Sequence, residues 1–244
     1  MSDNSHAVHV RDGWIGVEPT VLIFDVNETL IDVEAMSPLF ERVFADTRVL
    51  REWFGQVVMY SMTVTLCGCY EDYFALGRGV FSMLGDIHGV KVTPSDLDDL
   101  EHGMRTMPAH PDVEEGLRRL RDAGFRMVTL TNSPPVAGGR TPLEHAGLAG
   151  YFERQFSVDT IRTFKPAALT YHLAARELDV PPSTCLMVAA HVWDTIGAQS
   201  AGLSAGLLTR PGNAPLPVHG LPQPNIVASD LPDFADRLIA RWRT

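Results

Sequence analysis

The stretch VLIFDVNETLID, residues 21–32, is an apolar run that ends on Asp25 and is followed at once by Asn27, Glu28 and Thr29. A bare carboxylate at the end of a buried strand is costly unless it is stabilised or used. Three further clusters hold residue types that could do either. Thr131, Asn132 and Ser133 close a run that starts RMVTL, Lys165 stands in TFKPAALTYHLAA, and Asp194 ends VAAHVWD. Taken singly, each has an ordinary reading: Asp25 and Asp194 as helix caps or turn formers, Thr131-Asn132 as turn chemistry, Lys165 as a surface lysine. Their order along the chain favours a joint reading. Hydroxyl and amide groups, a lysine and a second aspartate arrive at one edge, a charge-balanced cluster around Asp25.

The elements that must position these groups read as strands alternating with helices, an α/β pattern with a parallel sheet covered on both faces. Buried strands are predicted at Val21 to Val26, Arg126 to Thr131, Thr184 to Ala190 and Ala205 to Thr209, with a weaker one near Phe156. Asp112 and Glu115 form a plausible capping arrangement for a helix whose Val113, Leu117 and Leu120 share one face, and Gly124 ends it. Pro166 can start a helix after Lys165. A last amphipathic helix is expected over Leu231 to Trp242, burying Phe234, Leu238 and Ile239. Arg210 to Pro224 is rich in Pro and Gly and reads as a loop. From Ser37 to Met107 the alternation stops, and aromatic residues follow one another without a convincing strand. This segment reads as a helical cap, residues 37–107, inserted into a core of residues 21–36 and 108–244, with 1–20 a flexible lead. The cap would sit over the carboxyl ends of the strands, where open parallel sheets bind ligands.

Composition bounds the partners. A chain of 244 residues, 45% hydrophobic, can build a core domain and a smaller second one. The formal net charge of -10 and the lack of Lys and Arg clusters speak against nucleic acid, so an anionic small molecule would need local positive groups. Cys67, Cys69 and Cys185 are an odd number without zinc-type spacing, which indicates reduced thiols in a reducing compartment. The first residues hold no apolar core of a signal peptide, and no run is long enough for a membrane span; a cytoplasmic protein with no membrane partner is expected.

The four motifs FDVNETL, LTNS, FKP and VAAHVWD, in that order, resemble those of the haloacid dehalogenase superfamily of hydrolases. The Trp193-Asp194 pair, and Tyr171 six residues after Lys165, are most similar to the type II, or L-2-haloacid, dehalogenase branch. The resemblance covers nearly the whole chain after residue 20. It implies a Rossmann-like core, a helical cap, a covalent aspartyl intermediate, no cofactor and a homodimer. Asp25 would attack, Lys165 would keep it ionised, and Asp194 would balance the lysine. Thr29, Thr131 and Asn132, with backbone N–H groups after Asp25 at Val26 and Asn27, would hold nucleophile and substrate. Tyr171 and Trp193 would lie near the active carboxylate. Tyr70 and Tyr73, with Trp193 and Phe54, could form an apolar cradle or simply pack the cap.

Where phosphatases of the superfamily usually carry a second acid, two residues after the nucleophile, this chain has Asn27. An amide cannot protonate a leaving alkoxide, whereas a halide leaves without a proton, so the change suits carbon–halogen cleavage. The alternative is a phosphatase using Mg²⁺ held by Asp25 and Asp194; a third reading is a protein that only binds. Two departures from the branch matter. Phe54 stands where the halide-receiving arginine is expected, with Arg51 one turn away as either a substitute or a surface residue. Ala189 replaces a serine, and His191 replaces an asparagine that helps place the hydrolytic water. His191 could place or deprotonate that water, or be a histidine merely hydrogen-bonded at a strand end.

Overall fold

The computed structural model describes residues 16–135 and 139–243. Most of the flexible lead expected at residues 1–20, through residue 15, lies outside the described residues. Six strands make one parallel sheet in the order β3-β2-β1-β4-β5-β6. They are β1 (Val21–Phe24), β2 (Arg126–Thr131), β3 (Arg154–Ser157), β4 (Cys185–Ala189), β5 (Ser204–Leu208) and β6 (Ile226–Ala228). All residues of β1 and β4 are buried, as continuous apolar strands covered on both faces must be. Chain order reverses beside β1, which pairs with β2 on one side and β4 on the other. Ligands of doubly wound sheets bind at that switch point, and the chain leaving β1 there is Asp25.

Four helices fill the span between β1 and the core helix α5 (Val113–Asp122): α1 (Ser37–Phe44), α2 (Val49–Cys67), α3 (Tyr73–His88) and α4 (Pro94–Thr106). Their ends follow from local chemistry. Asp72 accepts from the Phe74 and Ala75 amides to start α3, Thr93 and Asp96 make a reciprocal capping box for α4, and left-handed Gly68 and Gly89 end α2 and α3. Phe40 packs on Phe44, Trp53 and Phe81, so the aromatic residues of this insertion form its own interior. It meets the sheet edge through Thr65, which accepts from the Phe164 amide, and Tyr70, which donates to Asp159. The remaining helices are α6 (Pro142–His145), α7 (Ala168–Glu177), α8 (Val192–Ser200) and α9 (Leu231–Trp242). At Gly206 of β5 an added Cβ would lie 2.5 Å from the Phe234 ring, so the glycine lets α9 seat on the sheet.

Several local expectations change. The first strand ends at Phe24 rather than Val26, so Asp25 is released from the ladder while its amide still donates to the Val188 carbonyl at 3.0 Å. Asp112 does not cap α5 with its side chain. Its carboxylate accepts from Arg210 and from the Leu231 amide, tying α5 to the chain around α9. Helix α7 begins at Ala168, two residues beyond Pro166, and Ile239 is only partly buried. Strand β6 was not anticipated, because three residues after a Pro-rich loop are too few to show a period. No helix among the described residues is long and apolar enough to cross a membrane.

Candidate active site

Asp25 is held from both sides. One carboxylate oxygen accepts from Lys165 Nζ at 2.7 Å and the other from Thr29 Oγ1 at 2.6 Å. The Thr29 hydroxyl in turn accepts from the Ala190 amide at 2.9 Å, which locks the turn after β1 to the end of β4. Lys165 is fully buried and not the surface residue of the ordinary reading. Its ammonium donates to Asp25, to Asp194 at 2.7 Å and to the Leu130 carbonyl at 3.0 Å, so all three protons are used. Burial works against the charge on Lys165, but Asp194 and Asp25 outweigh it and hold its pKa above the ordinary value.

Asp194 lies in the first turn of α8, yet it does not cap that helix. It is completely buried, with one oxygen on Lys165 and the other accepting from the Tyr171 hydroxyl at 2.6 Å. Burial raises its pKa above the ordinary carboxylate value, and Lys165 offsets only part of that rise. Tyr171 therefore lies near the active carboxylate by way of Asp194, and it is not among the residues that wall the cavity at Asp25. The fit is close: a Cβ at Gly197 of α8 would lie 2.6 Å from the Tyr171 oxygen and 2.4 Å from Pro166 Cβ.

The cavity at Asp25 measures about 10 Å³ and is walled by Asn27, Phe54, Val58, Tyr73, Asn132, His191 and Trp193. Asn132 accepts from the Lys165 amide, which leaves its NH₂ group for the cavity. Asn27 donates to Ser133, and its buried Oδ1 has no hydrogen-bond partner. Phe54 and Trp193 both stack on the His191 ring, with centroids 5.4 and 5.3 Å away. Tyr73 belongs to this wall, whereas Tyr70 stacks on Phe164. Val26 and Thr131 line a neighbouring cavity of about 70 Å³, where the Thr131 hydroxyl accepts from the Ser133 amide; the role expected of Val26 falls to its backbone N–H and does not depend on where its side chain packs.

Glu28 is the residue that sequence reasoning missed. It is 2% exposed, sits at φ 65° in the left-handed region, and its carboxylate meets His191 Nε2 at 2.5 Å and Arg51 on its other oxygen. Arg51 also pairs with Glu34 at 2.5 Å and donates to the Pro211 carbonyl. It is thus neither a free surface residue nor a group facing the cavity. His110 holds the Glu28 carbonyl at 2.9 Å. A non-glycine residue in this backbone region costs on the order of 1 kcal/mol, which the contacts of Glu28 offset. The signal the sequence offers is an acid three residues after a strand-end aspartate, next to Thr29.

The model of the haloacid dehalogenase-like hydrolase family matches residues 19–202. The chain belongs to that family. Among curated relatives, it is 27% identical over 191 residues to an (S)-2-haloacid dehalogenase of Xanthobacter autotrophicus, covering 78% of this chain and 74% of the relative. It is 28% identical over 220 residues to (S)-2-haloacid dehalogenase 1 of Pseudomonas sp. (strain CBS-3), covering 88% and 96%. The solved structure of the Xanthobacter autotrophicus L-2-haloacid dehalogenase with chloropropionic acid covalently bound superposes with a TM-score of 0.80 at 23% identity, over 93% of this chain and all of that one. As a member of this family the chain has the Rossmann-like core with an inserted helical cap that its motifs implied.

Proposed function

We propose that this protein hydrolyses short 2-haloalkanoic acids through an ester on Asp25, giving a 2-hydroxy acid and halide. The observation that carries the reading is a carboxylate at the strand end that is ion-paired and bonded yet faces a small cavity walled by Phe54, Val58, Tyr73 and Trp193 together with the amides of Asn27 and Asn132. One Asp25 oxygen attacks the halogen-bearing carbon; the C–O bond forms as the carbon–halogen bond breaks, and halide leaves with no proton to collect. Lys165 keeps Asp25 ionised, and exclusion of bulk water by Phe54, Tyr73 and Trp193 leaves the carboxylate less solvated and more nucleophilic. Asn132 and the groups around Asn27 are the donors proposed for the substrate carboxylate. Water then opens the ester and frees Asp25. The names of the relatives, and the covalent adduct in one of them, support this choice of substrate.

The phosphatase alternative fits the donor set poorly. Both oxygens of Asp194 are taken by Lys165 and Tyr171, so an ion bridging Asp25 and Asp194 would have to displace a fully buried ammonium. The test is release of chloride from chloroacetate and 2-chloropropionate beside release of phosphate from p-nitrophenyl phosphate, each with Mg²⁺ and with EDTA. Chloride release that survives EDTA and is lost in Asp25→Ala supports the proposal, and phosphate release that requires Mg²⁺ overturns it. The free thiols of Cys67, Cys69 and Cys185 support a cytoplasmic location. Residues 37–107 are read as the cap unit, and a homodimer is the expectation from family likeness, checked by molar mass in solution.

A further inference from the structure

Beyond the nucleophile and its lysine, the hydrolytic half of the reaction needs a base, and the residues in front of Asp25 hold one candidate arranged for it. His191 is buried, and its Nε2 meets the Glu28 carboxylate at 2.5 Å. A carboxylate only accepts, so Nε2 carries the ring proton and Nδ1 presents a lone pair. That Nδ1 is buried, has no hydrogen-bond partner, and lies 3.9 Å from the Asp25 oxygen that Thr29 holds. The second unpartnered buried polar atom of the same cavity wall is Asn27 Oδ1. A lone pair and an amide oxygen beside the carboxylate are the partners a water would need for attack on an Asp25 ester. The ring is packed against two others, stacking on both Phe54 and Trp193.

The geometry points to a relay across the boundary between the helical insertion and the sheet: Arg51 of α2 fixes Glu28, Glu28 fixes the His191 tautomer, and His191 Nδ1 deprotonates the water that opens the Asp25 ester. This rests on the ester reading above and assigns His191 as the catalytic base, with Glu28 and Arg51 as positioning residues. Water gives one proton to Nδ1 while its oxygen bonds to Asp25 Cγ; the bond from Cγ to the hydroxy-acid oxygen then breaks, and that oxygen takes the proton back from Nδ1. Asp25 loses its remaining proton to solvent and is a carboxylate again. Arg51 is thereby committed to Glu28 and Glu34, which explains why it does not serve as the halide-receiving cation. Burial also holds the His191 imidazole below its ordinary pKa, against the pull of Asp25 and Asp194 and with the help of Lys165 and Arg51, a direction that suits a base.

Single turnovers with chloroacetate, followed by halide release and intact mass, test the relay. His191→Ala is expected to release one chloride per site and then stall, with the carboxymethyl adduct on Asp25 decaying about 10²–10⁴-fold more slowly than in wild type. His191→Gln, which keeps a side chain against the two rings, is expected to do the same and guards against misfolding. For the positioning residues the readout is the acid limb of the adduct-decay profile. Glu28→Gln removes negative charge from the imidazole and moves the limb to lower pH; Arg51→Met removes positive charge and moves it to higher pH, while Arg51→Lys restores it. A folded His191 variant that clears the adduct at the wild-type rate, or that never forms it, overturns the relay alone. Limbs that stay fixed in both Glu28→Gln and Arg51→Met also overturn it. Wild-type protein that yields neither chloride nor adduct overturns the ester reading and the relay together.

Discussion

Two charged networks flank Asp25, and they are built differently. On one side Lys165, Asp194 and Tyr171 lie wholly inside the sheet domain, completely buried, with the lysine's three protons and both Asp194 oxygens engaged. On the other, His191 and Glu28 run out to Arg51 of α2, whose side chain is 36% exposed, and one ring nitrogen keeps no partner. The closed network fixes a charge. The open one keeps a lone pair for chemistry and reaches a helix of the insertion. A buried network with every group satisfied is rigid, whereas an unsatisfied buried nitrogen beside a nucleophile asks for a use.

The comparison breaks most sharply at Lys165. Lys165→Met leaves two buried carboxylates facing each other without a cation, and is expected to abolish turnover and cost about 3–5 kcal/mol of stability, read by urea unfolding and chloride release. An unfolding midpoint equal to wild type would show that the closed network is not the keystone. Gly197→Ala drives a methyl group into Pro166 and the Tyr171 hydroxyl, and overpacking of this kind costs about 1–3 kcal/mol. It should slow adduct formation rather than adduct decay, because the closed network serves the first step.

Tyr171→Phe is the milder probe of the same side. It strips one donor from a buried Asp194 oxygen, for an expected loss of about 1–2 kcal/mol, with turnover reduced but retained. The smallest effect belongs to the open side and concerns pH. The His191 pKa is depressed in the folded state, so the unfolded chain binds the proton first as pH falls. This contribution to stability is flat above the ordinary imidazole value of about 6.5 and declines below it. Thermal melts between pH 8 and 5 should show that decline, and it should shrink in His191→Gln; a profile unchanged by the substitution would remove His191 from the account of acid sensitivity.

The closed side was legible in the sequence, whereas on the open side only His191 was, for a physical reason. Asp25, Lys165 and Asp194 each stand at or just beyond the carboxyl end of an apolar strand or in a motif that follows one, so alternation of strands and helices brings them to one edge without knowledge of side-chain packing. Tyr171 lies near the active carboxylate as its motif implied, but that it does so by donating to Asp194 is a matter of packing that the motif does not encode. That Thr131 and Val26 also line a neighbouring cavity follows from strand alternation and the early end of β1. Glu28 and Arg51 meet only because α2 folds back over the turn after β1, a contact between residues 23 positions apart that no local period encodes. Phe54 was anticipated at the site, yet its stacking on His191 depends on that same packing.

The central claim is that Asp25 itself becomes joined to the molecule it cleaves. A single turnover of chloroacetate in ¹⁸O-labelled water, with enzyme in excess, tests it most directly by mass spectrometry of the peptide holding Asp25 and of the glycolate released. The account predicts label in the Asp25 carboxylate and none in the first glycolate formed. Label in the glycolate with an unlabelled Asp25 would mean that water attacks the substrate carbon directly, and would contradict it.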